Sequence, residues 1–185
     1  KGNLIDSIEK KDGTILRNLT LDEDDNLLGA EIVHLDGTIQ TVANGKVSKV
    51  IKPDGTILNY NDEELISSIT YPDGSTAECS YTKDTEGNVI ETILTDSEKI
   101  SRYGSTGRLT KVEFNDGKTI EYANGVISRA TDTDGTAYLY ETTEVAQDGI
   151  IEYVTKLKTI ISASGVKYHI DDNDISSIEL SDRSI

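Results

Sequence analysis

Few residues of this 185-residue chain are of a type that does chemistry, and their spacing argues against most of it. His34 and His169 are the only histidines and Cys79 the only cysteine, so no His/Cys set with zinc-ligand spacing can be assembled. The histidines read as exposed strand residues, and the lone cysteine as a small apolar side chain in a strand. A calcium ion takes roughly six to eight oxygen ligands, and its weak candidates are Asp22 and Asp24 in Asp22-Glu23-Asp24-Asp25, and Asp171 and Asp174 in Asp171-Asp172-Asn173-Asp174. Neither segment has the fixed Gly and distal Glu of a calcium loop, and Asp132-Thr133-Asp134-Gly135 has Ala130 where the first ligand would stand. Solvated turn residues are the expectation, with no cofactor. The 34 acidic residues make accidental carboxylate pairs unavoidable, which removes the diagnostic value of a glycosidase-type pair. No serine elbow, phosphate-cradling loop or nucleotide fingerprint is present. The chain is expected not to be an enzyme, with an unrecognised carboxylate site as the residual alternative.

The glycines have a different task. Asp-Gly recurs at Asp12-Gly13, Asp36-Gly37, Asp54-Gly55, Asp73-Gly74, Asp116-Gly117 and Asp134-Gly135, usually before Thr or Ser, and this dipeptide is a strong hairpin signal. Four residues before the Asp stand Ile8, Ile32, Val50, Ile69, Val112 and Ala130; seven before it stand Ile5, Val47, Ile66, Leu109 and Ile127, with Gly29 as the exception. Three residues after the Gly come Leu16, Leu58, Ile120 and Tyr138, and five after it Tyr60, Tyr122 and Tyr140, with Cys79 and Val42 as variants. Degenerate copies follow: Ile90 and Ile93 before Ser97-Glu98, Leu157 and Ile160 before Ser164-Gly165, Ile175 and Ile178 before Asp182-Arg183. The chain 1–185 thus reads as a single array of about nine β-hairpin units. Second reversals lie at Asn44-Gly45, Glu86-Gly87-Asn88, Thr106-Gly107, Asn124-Gly125, Gln147-Asp148-Gly149 and Asp172-Asn173, residue types that tolerate positive φ.

An all-β fold follows: tandem hairpins in a long antiparallel meander of short Ile-, Val-, Thr- and Tyr-rich strands. A three-residue loop with Gly in the left-handed bulge position pairs Val50 with Leu58 and Val112 with Ile120. Side-chain alternation then puts Tyr60 and Tyr122 on the same face, which becomes apolar while the other is polar. The residue seven before the Asp breaks the alternation, so either a bulge there or an apolar residue turning over the strand end is expected. Strand twist favours curling into a spiral, an open barrel or a shell-wall segment, with edge strands left to pair with more chain or with another copy.

Bulk properties narrow the partners. Apolar residues make up 35% and aromatics 5%, with nine Tyr, one Phe and no Trp or Met, so the core is thin and tyrosine supplies its aromatic packing. A net charge of −16 repels nucleic acid and anionic membranes, and no run approaches the roughly 20 apolar residues of a membrane-spanning helix. The absence of an initiating Met suggests a piece of a larger parent chain.

The segment Tyr103-Gly104-Ser105-Thr106-Gly107-Arg108-Leu109-Thr110-Lys111-Val112, continuing through Asp116-Gly117 to Tyr122, resembles a tyrosine-aspartate repeat of the Rhs family. Gly107, Arg108, Leu109 and Val112 match the central motif, while Gly104 stands where the family has Asp. The resemblance implies a bacterial secreted or cell-surface protein in which such repeats build a shell or scaffold, as also in toxin-complex shells and teneurin-type receptors. Two roles are therefore expected: a passive structural array, or an adhesion module that binds glycan or protein through a ladder of Tyr60, Tyr81, Tyr103, Tyr122 and Tyr140. Burial separates them, since a core ladder is inaccessible and a binding ladder leaves rings in solvent.

Overall fold

The structure is a computed structural model that describes residues 5–147 and 150–181. It is all-β, with seventeen strands and no helix among the described residues: β1 Ile5–Glu9, β2 Ile15–Leu21, β3 Leu27–Val33, β4 Ile39–Ala43, β5 Lys46–Ile51, β6 Ile57–Tyr60, β7 Ile66–Thr70, β8 Thr76–Lys83, β9 Val89–Thr95, β10 Lys99–Gly104, β11 Leu109–Phe114, β12 Thr119–Ala123, β13 Val126–Thr131, β14 Ala137–Gln147, β15 Ile150–Ile161, β16 Lys167–Asp171 and β17 Asp174–Glu179. The chain divides into two units, Lys1–Ser80 and Tyr81–Ile185. In the first, β1 through β7 pair antiparallel in chain order, and β7 pairs with the start of β8, the strand within which the division falls. In the second, β9 through β17 do the same.

Two kinds of turn make this meander. In the Asp54-Gly55 turn the Lys52 amide donates to the Thr56 carbonyl at 2.8 Å and the Gly55 amide to the Lys52 carbonyl at 2.9 Å. Gly55 sits at φ 89°, the left-handed bulge position that an L side chain avoids. The same pair of bonds closes the turns at 10–14, 34–38, 71–75, 114–118, 132–136 and 162–166. Asn44-Gly45, Asn124-Gly125 and Asp172-Asn173 are two-residue turns with both residues at positive φ, the mirror-image type whose twist suits a hairpin. Two further reversals, at 22–26, where turn residues were expected, and at 61–65, which composition did not flag, use the three-residue geometry with Asp25 and Glu64 at positive φ in place of Gly. The turn expected at Asp182-Arg183 and residues Asp148-Gly149 lie outside the described residues.

Register follows the repeat. Val50 pairs with Leu58 and Val112 with Ile120, as expected. A bulge recurs on the other side of each unit: Val42 meets Val47, Tyr60 meets Ile66, Tyr103 meets Leu109, Tyr122 meets Ile127, Tyr140 meets Leu157 and Ile170 meets Ile175, each across a register shift. The extra residue turns the side chain seven before the Asp onto the same face as the one four before it. A hydroxyl pins the bulge in five places: Ser48 donates to the Thr41 carbonyl, Ser67 to Asn59, Thr110 to Arg102, Ser128 to Glu121 and Ser176 to His169, at 3.0–3.2 Å.

Three sequence expectations need correction. The Ser97-Glu98 copy closes one residue shorter, with the Asp96 amide donating to the Lys99 carbonyl. Leu94 therefore pairs with Ser101, and Ile93 moves to the opposite face, because a one-residue slip inverts a strand. Gly29 breaks the apolar pattern because the Thr20 hydroxyl occupies its side-chain space, 2.7 Å from where a Cβ would stand. Finally, the face opposite the tyrosines is not uniformly polar. In the first unit Ile15, Val33, Ile39, Ile51 and Ile57 pair in series across it, whereas in the second unit the matching row contains Glu113, Thr119 and Thr131.

The core is thin, as composition requires. Leu19, Ala30, Val42, Val50, Leu58, Ala77, Val112 and Ala137 are its buried apolar residues, and no large side chain is fully enclosed among the described residues. Leu19, Ala30 and Val42 cluster with Leu16, Leu27 and Ile32. Each side chain is covered by its cross-strand neighbours, since the strands in each unit pack against their sequence neighbours.

Candidate binding face

Tyrosine placement follows from turn and bulge together. Counting from Val112–Ile120 toward the strand end puts Tyr122 level with Thr110, which shares the bulge opposite Tyr103; Ala130–Tyr138 in turn puts Tyr140 level with Ser128, which shares the bulge opposite Tyr122. Tyr103, Tyr122 and Tyr140 therefore lie on one line across alternate strands β10, β12 and β14 of the second unit. All three rings are half-buried. Tyr60 holds the equivalent place in the first unit, facing Ile66, and is also half-buried. Tyr81 lies in β8 and is half-buried too. The five rings are neither sealed in a core nor fully exposed, and Tyr60, Tyr103, Tyr122 and Tyr140 each face an aliphatic partner across the bulge.

Two hollows lie beside this line in the second unit. One, of about 320 Å³, is lined by Phe114, Ile120, Ala130, Tyr138 and Tyr140 among others. The other, of about 740 Å³, lies where the β14–β15 hairpin runs on past β13. Tyr140, Tyr153, Arg108, Asn124 and Glu144 are among the residues that line it. Tyr153 is 66% exposed. A smaller hollow of about 90 Å³ in the first unit has Tyr60, Lys46 and Asn44 on its rim.

Sequence reading missed Tyr138, Tyr153 and Arg108 as lining residues. Their roles depend on the length of the β14–β15 hairpin, and the tyrosine spacing there departs from the template. The bulge hydroxyls were legible in principle, since Ser48, Ser67, Thr110, Ser128 and Ser176 all stand six residues before the turn Asp.

The acidic residues serve the turns. Asp54 Oδ1 accepts the Thr56 amide at 2.8 Å, and Asp12, Asp36, Asp73, Asp116 and Asp134 accept the corresponding amide. Thr56 amide donation holds the Asp54 carboxyl below its ordinary range, and Asp12, Asp36 and Asp134 are lowered the same way. For Asp73 the Ser75 hydroxyl is the larger cause. Of the calcium candidates, Asp22 accepts the Asp24 and Asn26 amides at 2.9 and 2.8 Å, and Asn26 donations lower its pKa. Asp24 lies two residues on in the same loop. Asp171 and Asp174 pair across the Asp172-Asn173 turn, with the Lys158 ammonium 3.9 Å from Asp171. Among the described residues no group of three or more His, Cys, Asp and Glu side chains is placed to hold a metal ion.

The face opposite the tyrosines carries ion pairs. Arg17 meets Glu31 at 2.8 Å and Arg102 meets Glu113 at 2.7 Å, and in both pairs the arginine lowers the carboxylate pKa. The histidines are half-buried rather than exposed: His34 opens the 34–38 turn with a buried Nε2 that has no hydrogen-bond partner, and His169 lies 3.6 Å from Glu179. Cys79 is partly buried, and burial raises its thiol pKa. No helix among the described residues is long and apolar enough to cross a membrane.

No family model matches the chain, and no curated protein does. Among solved structures it is similar to the G-box domain of the microcephaly protein CPAP, with 14% identity over 97% of this chain and 98% of that one and a TM-score of 0.40. It is also similar to the wild-type TCP10 domain of Danio rerio CPAP in complex with a peptide of Danio rerio STIL, with 17% identity over 95% of this chain and 98% of that one and a TM-score of 0.32. A further structure of the wild-type TCP10 domain of Danio rerio CPAP gives 15% identity over 95% of this chain and 99% of that one, with a TM-score of 0.31.

Proposed function

We propose that the chain is a non-enzymatic scaffold, a repeat array that works as wall or spacer. The observation that carries this reading is the chain-order pairing of strands in one recurring register, with a bulge at the same template position in unit after unit. Stability in such an array is close to a sum over neighbouring repeats, so length can change without loss of fold. The Rhs resemblance supports the same reading. It extends the proposal to a bacterial secreted or cell-surface parent, with the sheet edges meeting further chain or another copy.

Removing residues 46–64 tests it. Gly45 then joins Leu65, and Ile66 takes the place of Val47 opposite Val42, so β4 can pair directly with β7. The shortened chain is expected to stay folded and β-rich, with a lower but still cooperative urea transition. Loss of cooperative folding would remove the scaffold reading.

A second reading, binding through the tyrosine face, is favoured by the half-buried rings beside the 740 Å³ hollow. Pockets for small ligands are of this general size.

A further inference from the structure

We propose that Tyr103, Tyr122 and Tyr140 form a platform for an extended, uncharged, β-linked polysaccharide lying across the strands. This rests on the binding reading above. Alternate strands are about 9.6 Å apart, so the three tyrosine positions recur at about that interval from strand to strand. An extended β-linked sugar chain turns the same ring face outward every second residue, and two sugar rings span about this distance. Each tyrosine can then stack on alternate sugars, offering an apolar face and a hydroxyl.

Other long ligands fit less well. A polypeptide in strand conformation repeats its side chains at about 6.8 Å, out of step with the ladder. A proline-rich helix repeats at about 9.3 Å, but its prolines have no N–H to give. The hollow next to Tyr140 is lined by Glu144, on the tyrosine face of β14, whose carboxylate only accepts hydrogen bonds, together with Arg108 and Asn124. None of these three side chains has a hydrogen bond or ion pair among the described residues. Unpaired donors and acceptors of both charges suit a chain rich in hydroxyls. A net charge of −16 disfavours polyanionic glycans.

The test is calorimetric titration of the chain with cellohexaose and chitohexaose, with maltohexaose and a proline-rich peptide as contrasts. It is repeated on Tyr122→Ala, Tyr140→Ala and the exposed-site variant Tyr153→Ala, each checked for fold by circular dichroism. Binding of a β-linked hexasaccharide, weakened about five- to tenfold by Tyr122→Ala or Tyr140→Ala, is expected. Tyr153→Ala, which keeps the platform, is expected to weaken it less. No binding of either β-linked sugar, binding indifferent to Tyr122 and Tyr140, or tighter binding of maltohexaose or the peptide would each overturn the proposal. Nitration of the free chain separates this failure from failure of the binding reading. Unreactive Tyr103, Tyr122 and Tyr140 rings would sink the binding reading itself, whereas reactive rings with no sugar bound would sink only the polysaccharide.

Discussion

Each Asp-Gly turn spends its carboxylate on one amide, and that has a pH signature. The Asp54 pKa is depressed in the folded chain by the Thr56 amide, so its contribution is present above the unfolded pKa and is lost as pH falls through the folded one. Asp54→Ala is therefore expected to lower the melting temperature at neutral pH, with the gap to the parent chain closing below the ordinary carboxylate range. A gap that stays constant with pH would show that the carboxylate charge is irrelevant. Glu64 makes the opposite case. It holds φ 60° at the position where Gly87 and Gly107 serve the turns at 84–88 and 104–108. An L residue in that region pays about 1–2 kcal/mol, part of which glycine returns as chain entropy. Glu64→Gly should raise stability by about 0.5–1 kcal/mol, read as a higher urea midpoint at unchanged slope. The six Asp-Gly turns were legible because the dipeptide marks its own backbone geometry. The 61–65 turn was not, because neither Asn61 nor Glu64 advertises positive φ the way glycine does.

At the level of the strand, the bulge decides which face a residue serves. The alternation break at the residue seven before the Asp was readable from spacing, and the recurring bulge is its cause. Ile93 was misplaced because the loop after it is one residue short, a difference that side-chain types at Ser97 and Glu98 do not reveal. The Gly29 anomaly likewise had no reading in sequence, since its reason is the Thr20 hydroxyl on the adjacent strand. Gly29→Ala should cost less than about 1 kcal/mol, because the hydroxyl of exposed Thr20 can turn away, and a Thr20→Ala background should remove most of that loss. Equal losses in both backgrounds, measured by urea unfolding, would place the cost elsewhere. At the bulges, Ser128→Ala should cost about 1 kcal/mol by leaving the Glu121 carbonyl without its hydroxyl donor.

For the molecule, the scarcity of large apolar residues has a direct structural counterpart: within each unit, side chains are buried by cross-strand neighbours and not by an opposing layer. Val50, Leu58 and Val112 reach 7–9% exposure in this way, while the tyrosines beside them stay half-open. Composition foretold the thin core, and the template foretold the meander. The apolar row from Ile15 to Ile57 on the second face was overlooked because the template tracked only the positions around the tyrosines. The scaffold and binding readings both depend on the bulged register, and the binding reading also on the tyrosines of the second unit lying in line on one face. Cross-strand nuclear Overhauser contacts in solution test that register most directly. The account predicts contacts between Tyr122 and Ile127, Tyr140 and Leu157, and Val112 and Ile120, all confined to consecutive strands. Tyrosine contacts with residues of non-adjacent strands, or an unbroken pairing ladder without the bulges, would contradict it.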